Sequence, residues 1–202
     1  MLFYYRQKMT DTELIQGILR RDRQAFQYLL DKYQKQVVKT AYYFTGNMED
    51  AEDLSQEIFI EIMDSARAFR HSASLSTWIY RITVNRSLNL IKRNNRREIF
   101  HRIGNFLNED KNRKNQVIEL ATENTPAENN ETRKLLNQAI GSLSENQRIA
   151  FVLSKYEDLP YREICEVMNL SLSSVESLIH RAKINLQNKL SVHFPELKRT
   201  ES

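Results

Sequence analysis

LSENQRIAFVLSKYEDLPYREICEVMNLSLSSVESLIHRAK, residues Leu143 to Lys183, decides the fold because its helix starts and its turn can be read almost residue by residue. Leu143 precedes Ser144, and Gln147 stands three positions further on, the form of a capping box opening a helix to about Tyr156. Pro160 is tolerated in a first helical turn and predicts a short helix over Tyr161 to Met168. Asn169-Leu170-Ser171 makes the turn, with Asn169 able to take the left-handed conformation. Ser173 with Glu176 forms a second capping box, opening a long helix to about Leu190. A short helix, a three-residue turn and a long helix are helix-turn-helix geometry.

On the long helix Val175, Ile179, Ala182, Leu186 and Leu190 share one side and should face Ile164, Cys165 and Met168. Ser174, Ser177, Arg181 and Asn185 lie opposite, hydroxyls and a guanidinium of the kind that suits base edges and phosphates in a major groove. A merely solvated face of a helical hairpin fits the same pattern. Glu176 is assigned to capping and not to DNA.

Working outward, the 202 residues hold only 4 Gly and 3 Pro, too few for the many tight reversals of a sandwich or barrel, so the chain reads as all-α. Residues 1–9 are a ragged extension, with Phe3, Tyr4 and Tyr5 and a second candidate start at Met9. Residues 10–100 form one helical domain, interrupted by Gly46-Asn47, a helix C-cap, and by the polar loop His71 to Ser76. Residues 101–133 (NEDKNRKNQ, then TENTPAENNETRK) lose their aromatics after Phe106, carry Pro126 and read as a flexible linker. Residues 134–192 form the second helical domain and 193–202 a charged tail.

The lone Cys165 makes no internal disulfide and reads as a small core residue, and no Cys or His group has zinc spacing. The longest apolar run, Ile149 to Leu153, is far short of a membrane span, and the start lacks a signal-peptide layout, so a cytoplasmic protein without membrane insertion is expected. Net charge is +4, but its distribution says more: from Glu49 to Asp64 every charge is acidic, and from Arg81 to Arg102 nearly all are basic.

Asp50, Asp53, Glu57, Glu61 and Asp64 recur at helical steps as an acidic stripe, over a buried side of Ala51, Leu54, Ile58, Phe59 and Ile62. A self-repelling stripe suits a basic partner, although solvated charge is the commoner reason for such runs. No histidine accompanies it, so enzymatic or metal chemistry is not expected. On the next helix, starting near Thr77, Trp78, Arg81, Asn85, Asn89, Lys92 and Arg96 align opposite Tyr80, Val84, Leu88 and Ile91. An aromatic followed by amides and cations can stack a base and track a phosphate backbone, with Trp78 placed on the polar arc.

Three strings, DAEDLSQEIFIEIM (Asp50 to Met63), LSTWIYRITVNRSLNLIKR (Leu75 to Arg93) and the stretch Leu143 to Lys183, together resemble the bacterial RNA polymerase sigma factors of the extracytoplasmic-function group, in the family's order. The resemblance implies two helical domains of region 2 and region 4 type joined by a linker, the second a winged-helix-like helix-turn-helix. It implies no cofactor. Asp50, Asp53, Gln56 and Glu57 would dock on the clamp of the polymerase largest subunit, with the flap as a further contact. The loop holding His71, Ser72 and Ser74 would capture a flipped base of the −10 element, and the helix from Trp78 to Arg96 would hold the adjacent duplex. Extruding a base costs a few kcal/mol, to be offset by pocket contacts and stacking. Ser174, Ser177, Arg181, Lys183 and Asn185 would read the −35 element. Glu176 and Leu178 stand where many relatives carry arginines, so the bases read there do not carry over. An anti-sigma factor is the further implied partner. A stand-alone helix-turn-helix regulator and a helical adaptor without DNA binding are the competing readings.

Overall fold

In the computed structural model, which describes residues 9–70, 73–105 and 127–195, the chain is a succession of helices, and no strand occurs among the described residues. Helix α1 (Asp11–Leu19) is opened by a reciprocal capping box, Glu13 N donating to Thr10 Oγ1 at 3.2 Å and Thr10 N donating to Glu13 Oε2 at 2.8 Å. Arg21 takes a left-handed φ of 57° at the turn, and Asp22 then caps α2 (Arg23–Thr45) through a bond from Gln24 N. The two helices approach so closely that a β-carbon on Gly17 would sit 2.4 Å from that of Ala25, which leaves room for glycine alone.

Gly46, at φ 69°, ends α2, and Asn47 starts α3 (Met48–Ser65) by accepting from Glu49 N and Asp50 N. One dipeptide therefore both stops a helix and starts the next. A 3-10 turn (Ala66–Ala68) follows, and α4 (Leu75–Asn105) opens at Ser74, whose Oγ accepts from Thr77 N at 3.1 Å. Asp11 of α1 adds a second tie by accepting from Leu75 N at 3.0 Å. The first core is built from Leu14, Leu29, Val37, Leu54, Ile58, Ile62, Leu75 and Ile79 on these four helices.

The second half comprises α5 (Ala127–Gly141), α6 (Glu145–Lys155), α7 (Tyr161–Met168) and α8 (Leu172–Leu190). Helix α4 thus runs past the expected domain end at residue 100, and α5 begins inside the stretch read as linker. Residues 106–126, the centre of that linker, lie outside the described residues, as do residues 1–8 and the end of the charged tail. Pro160 precedes α7 and Asn169 ends it in the left-handed conformation, φ 52°, as its residue type suggested. No strand accompanies α8 among the described residues, so no wing is present among them beside the helix-turn-helix.

Two capping expectations need correction. Ser144 precedes α6 but makes no side-chain cap bond, and the reciprocal half of the box is missing too, since Gln147 Oε1 accepts from Asn185 Nδ2 on α8, at 3.0 Å. The cap of α8 is Ser171, accepting from Ser174 N at 3.3 Å, and not Ser173. The helix starts at Leu172, which moves the third helical position from Glu176 to Ser174 and leaves Glu176 exposed without a capping role.

The larger difference concerns α4, which is apolar on two sides. Ile79 and Ile82 point into the first core, while Tyr80 and Val84, flanked by Leu88 and Ile91, join Phe44 of α2 in a second core with Ile149, Leu153, Ile164, Val175 and Ile179. The second half of the chain is packed directly onto the first.

Candidate functional site

On α3 the buried side is as the periodicity required: Ala51, Leu54, Ile58, Phe59 and Ile62 all lie in the first core. This anchors the opposite face. Asp53, Gln56 and Glu57 are exposed, and Asp50 is half-exposed with its backbone N–H held by Asn47. Glu61, further along the stripe, is held in an ion pair by Arg86 of α4. Asp53 and Glu57 make no ion pair among the described residues, so a concentrated negative surface is left for an external cation.

The polar side of α4 presents Arg81, Asn85, Asn89 and Lys92, all exposed. Trp78 departs from its expected place on the polar arc: its ring is half-buried, 5.4 Å from that of Phe69, against the first core. The apolar surface of Phe69, which directly follows the 3-10 turn, draws the indole inward. Ser74 is exposed, but its hydroxyl serves the helix start, contacting Ser76 and Thr77. His71 and Ser72 lie outside the described residues, and Arg96 belongs to α4 with no description of its side chain.

Helix α8 buries Val175, Ile179, Ala182 and Leu186 and leaves Ser177, Arg181, Lys183 and Asn185 exposed, with Ser174 half-buried at the first turn. Arg181 folds back along its own helix, Nη2 donating to Ser177 Oγ at 2.9 Å and Nε to Ser177 O at 3.3 Å. The guanidinium is thus held over the N-terminal half of the helix, where a groove-reading residue belongs. Cys165 is a free, half-buried thiol packed against the second core.

Between the halves runs a seam that the sequence did not reveal, although Tyr80, Arg81 and Lys92, which take part in it, were singled out for other places. Thr77 Oγ1 donates to Glu163 Oε2 at 2.7 Å, Arg81 Nη2 donates to Glu166 O at 2.9 Å, and Lys92 Nζ donates to Glu145 Oε1 at 3.1 Å. Tyr80 OH donates to Glu157 Oε2 at 2.8 Å, while Lys39 Nζ donates to Tyr156 O at 2.6 Å and lies 3.7 Å from Glu157 Oε1. The rings of Tyr43 and Tyr156 stack at 4.0 Å. The Glu157 side chain is 2% exposed. Burial pushes its carboxyl above the usual carboxylate range, against the pull of Tyr80 and Lys39. Burial beside that carboxylate likewise drives the Tyr80 phenol upward. A signal did exist, in that α4 carries more apolar residues than one core-facing stripe can use.

No helix among the described residues is long and apolar enough to cross a membrane, and none of their His, Cys, Asp and Glu side chains form a group that could hold a metal ion. What the described residues define is a two-part helical protein, with an acidic surface and an amide-and-cation helix in the first part and a helix-turn-helix in the second. Residues 29–97 match the family model for sigma-70 region 2, and residues 133–186 match that for sigma-70 region 4. The ECF RNA polymerase sigma-E factor of Haemophilus influenzae is 29% identical over 187 residues, covering 91% of this chain and 97% of that protein. Its namesake from Escherichia coli K12 is 28% identical over 184 residues, covering 91% and 96%. Among solved structures, a chain in that of CnrH in complex with the cytosolic domain of CnrY aligns with a TM-score of 0.64 at 20% identity, covering 90% of this chain and 97% of that one. A chain in that of the sigma factor RpoE with the anti-sigma factor NepR from Bartonella quintana aligns with a TM-score of 0.61 at 20% identity, covering 83% and 97%. The chain belongs to the sigma-70 family, in its extracytoplasmic-function group.

Proposed function

We propose that this chain is a dissociable initiation subunit that binds core RNA polymerase, selects promoters and directs DNA melting. The observation that carries the reading is the matching of the two models, in order, to halves that expose surfaces of opposite character: carboxylates on α3, and amides, hydroxyls and cations on α4 and α8. Asp50, Asp53, Gln56 and Glu57 supply the polymerase contact, the clamp being the basic partner that relieves their mutual repulsion. Arg81, Asn85, Asn89 and Lys92, together with Ser74, Trp78, Arg96 and the loop residues His71 and Ser72, take the −10 element. Half-burial of Trp78 on Phe69 fits a rigid stacking wall beside that loop better than a freely projecting ring.

Ser174, Ser177, Arg181, Lys183 and Asn185 on α8 take the −35 element. Melting is driven by binding energy, so the chain acts without catalysis of its own, in the cytoplasm alongside polymerase, and an anti-sigma factor is its regulatory partner. Residues 10–105 then form the polymerase and −10 domain and residues 127–192 the −35 domain.

Run-off transcription with core polymerase from the same organism on genomic promoter fragments tests the reading. New transcripts that depend on this chain are expected; sequence-specific duplex binding by the chain alone, with no transcript, would replace the reading with a stand-alone regulator. On the promoter so obtained, Arg181→Ala is expected to weaken discrimination at one −35 position by about 1 to 3 kcal/mol, measured by holoenzyme binding to single-base variants. A uniform loss across all variants would instead make Arg181 a phosphate contact.

A further inference from the structure

With Ser171 as the cap of α8, Glu176 is left without a local task. It stands at the start of the second helical turn, exposed, and makes no ion pair among the described residues. It is the only acidic residue of α8, whose other charged side chains are Arg181, Lys183 and Lys189. Ser177, His180 and Arg181 are exposed with it on the same two turns, in the N-terminal half of the helix, where base-reading residues belong. Leu178 is half-buried against the second core and offers a groove nothing. Arg181 bonds back to Ser177 and leaves the carboxylate beside it unpaired.

Nothing in the fold needs this charge, and a duplex backbone repels it. Ionised, its two oxygens only accept hydrogen bonds, so phosphate oxygens give it no partner. In the major groove guanine presents O6 and N7 and thymine presents O4, acceptors that repel a carboxylate in the same way. The exocyclic amino groups of cytosine and adenine are the donors within reach. Adenine sets its N7 acceptor beside that amino group, whereas cytosine presents N4 alone.

We propose that Glu176 is a specificity-determining residue of α8: its carboxylate accepts a hydrogen bond from N4 of a cytosine at one position of the −35 element and rejects the other bases there. The inference rests on the function proposed above, with α8 as the helix that enters the groove. Arg181 and Lys183 supply the attraction to the duplex that a carboxylate lacks, so Glu176 contributes choice more than affinity. Specificity is a difference of affinities, and a group that repels three bases while pairing with the fourth creates one even where its net attraction is small.

The test measures binding of holoenzyme, the full-length chain on core polymerase, to duplex promoter fragments in which each −35 position carries each of the four base pairs in turn. Wild type is compared with Glu176→Gln, which keeps the shape of the side chain, and with Glu176→Ala. Both substitutions fall on an exposed side chain, so the helix content read by circular dichroism should not change. Wild type is expected to prefer cytosine at one position by about tenfold. Glu176→Gln should move that preference to adenine, whose N6 and N7 match an amide, and Glu176→Ala should reduce it to about twofold or less. Wild-type binding with no cytosine preference at any −35 position would overturn the proposal, as would a preference that both variants retain. A uniform gain of affinity in both variants, with no base favoured differently, would also overturn it, because Glu176 would then act only as a charge that phosphates repel. The same fragments are offered to the free chain. Selection by the free chain but not by holoenzyme, through a cytosine that Glu176→Ala no longer distinguishes, would sink the sigma-factor reading and leave this one standing.

Discussion

Ile164→Ala is expected to destabilise the second domain by about 2 to 5 kcal/mol, read as a lowered urea midpoint for its unfolding transition. Ile164 is 0% exposed on α7, an eight-residue helix packed against α4, α6 and α8. A helix that short does not persist by propensity, so its position depends on the side chains it buries. Alanine is the better helix former and removes only the packing, which makes the loss a measure of the cavity. A small helical domain has little stability to spare, on the order of several kcal/mol, so this single truncation should leave the helix-turn-helix largely unfolded at physiological temperature. Promoter binding through the −35 element would fall with it, while the first core, which does not include Ile164, should keep its own transition. Cys165→Ala, at the half-buried neighbouring position, should cost about 1 kcal/mol or less. An Ile164→Ala midpoint indistinguishable from that of Cys165→Ala would mean that α7 is held by its seam hydrogen bonds and not by this core.

Some features were legible because one residue carries the whole signal. Gly46 and Asn169 both sit at positive φ at helix ends, where their types predicted a stop, and Pro160 marked the entrance to α7. The buried sides of α3 and α8 followed from a regular period, since each helix needs only one partner surface.

What was not legible has a common cause: identical local patterns with different winners. Ser171 and Ser173 each precede a polar residue three positions on, and only the length of the turn after Asn169 selects Ser171 as the cap. The Ser144 box looked complete, yet Ser144 makes no side-chain cap bond and the Gln147 side chain is used across the domain by Asn185 of α8, a partner that the local sequence does not show. Tyr80 and Val84 recur at a core-facing interval whether they face their own domain or another, so periodicity could not reveal that their cover is α7. Trp78 stood among polar residues in projection, but the nearby Phe69, on the irregular segment before the loop, offers apolar contact that a helical wheel omits. The candidate surfaces on α3 and α8 were therefore readable as faces, whereas the engagement of Arg81 and Lys92 required the tertiary contacts.

Reversing charge at Asp53 and Glu57 together, Asp53→Lys with Glu57→Lys, is expected to lower affinity for core polymerase by about 100-fold or more, near 3 kcal/mol, as measured by competition for core against a labelled sigma factor. Close charge pairs across interfaces couple by about 1.5 to 7 kcal/mol, and reversal replaces two attractions with two repulsions. The fold should be indifferent. Both side chains are exposed and carry no ion pair among the described residues, and exposed substitutions of this kind stay within about 0.5 kcal/mol. Within α3 the two positions are four apart, so glutamate-like repulsion between them is exchanged for a lysine repulsion of similar size, and lysine propagates a helix as well as the acidic residues do. Any loss of core binding with an unchanged melting profile therefore reports the docking face itself. Raised salt should narrow the gap between wild type and variant, because the attraction being removed is Coulombic and lies at a solvent-exposed surface. Unchanged core affinity in the double variant would remove the acidic stripe from the polymerase contact and leave its clustered carboxylates on α3 as solvated charge.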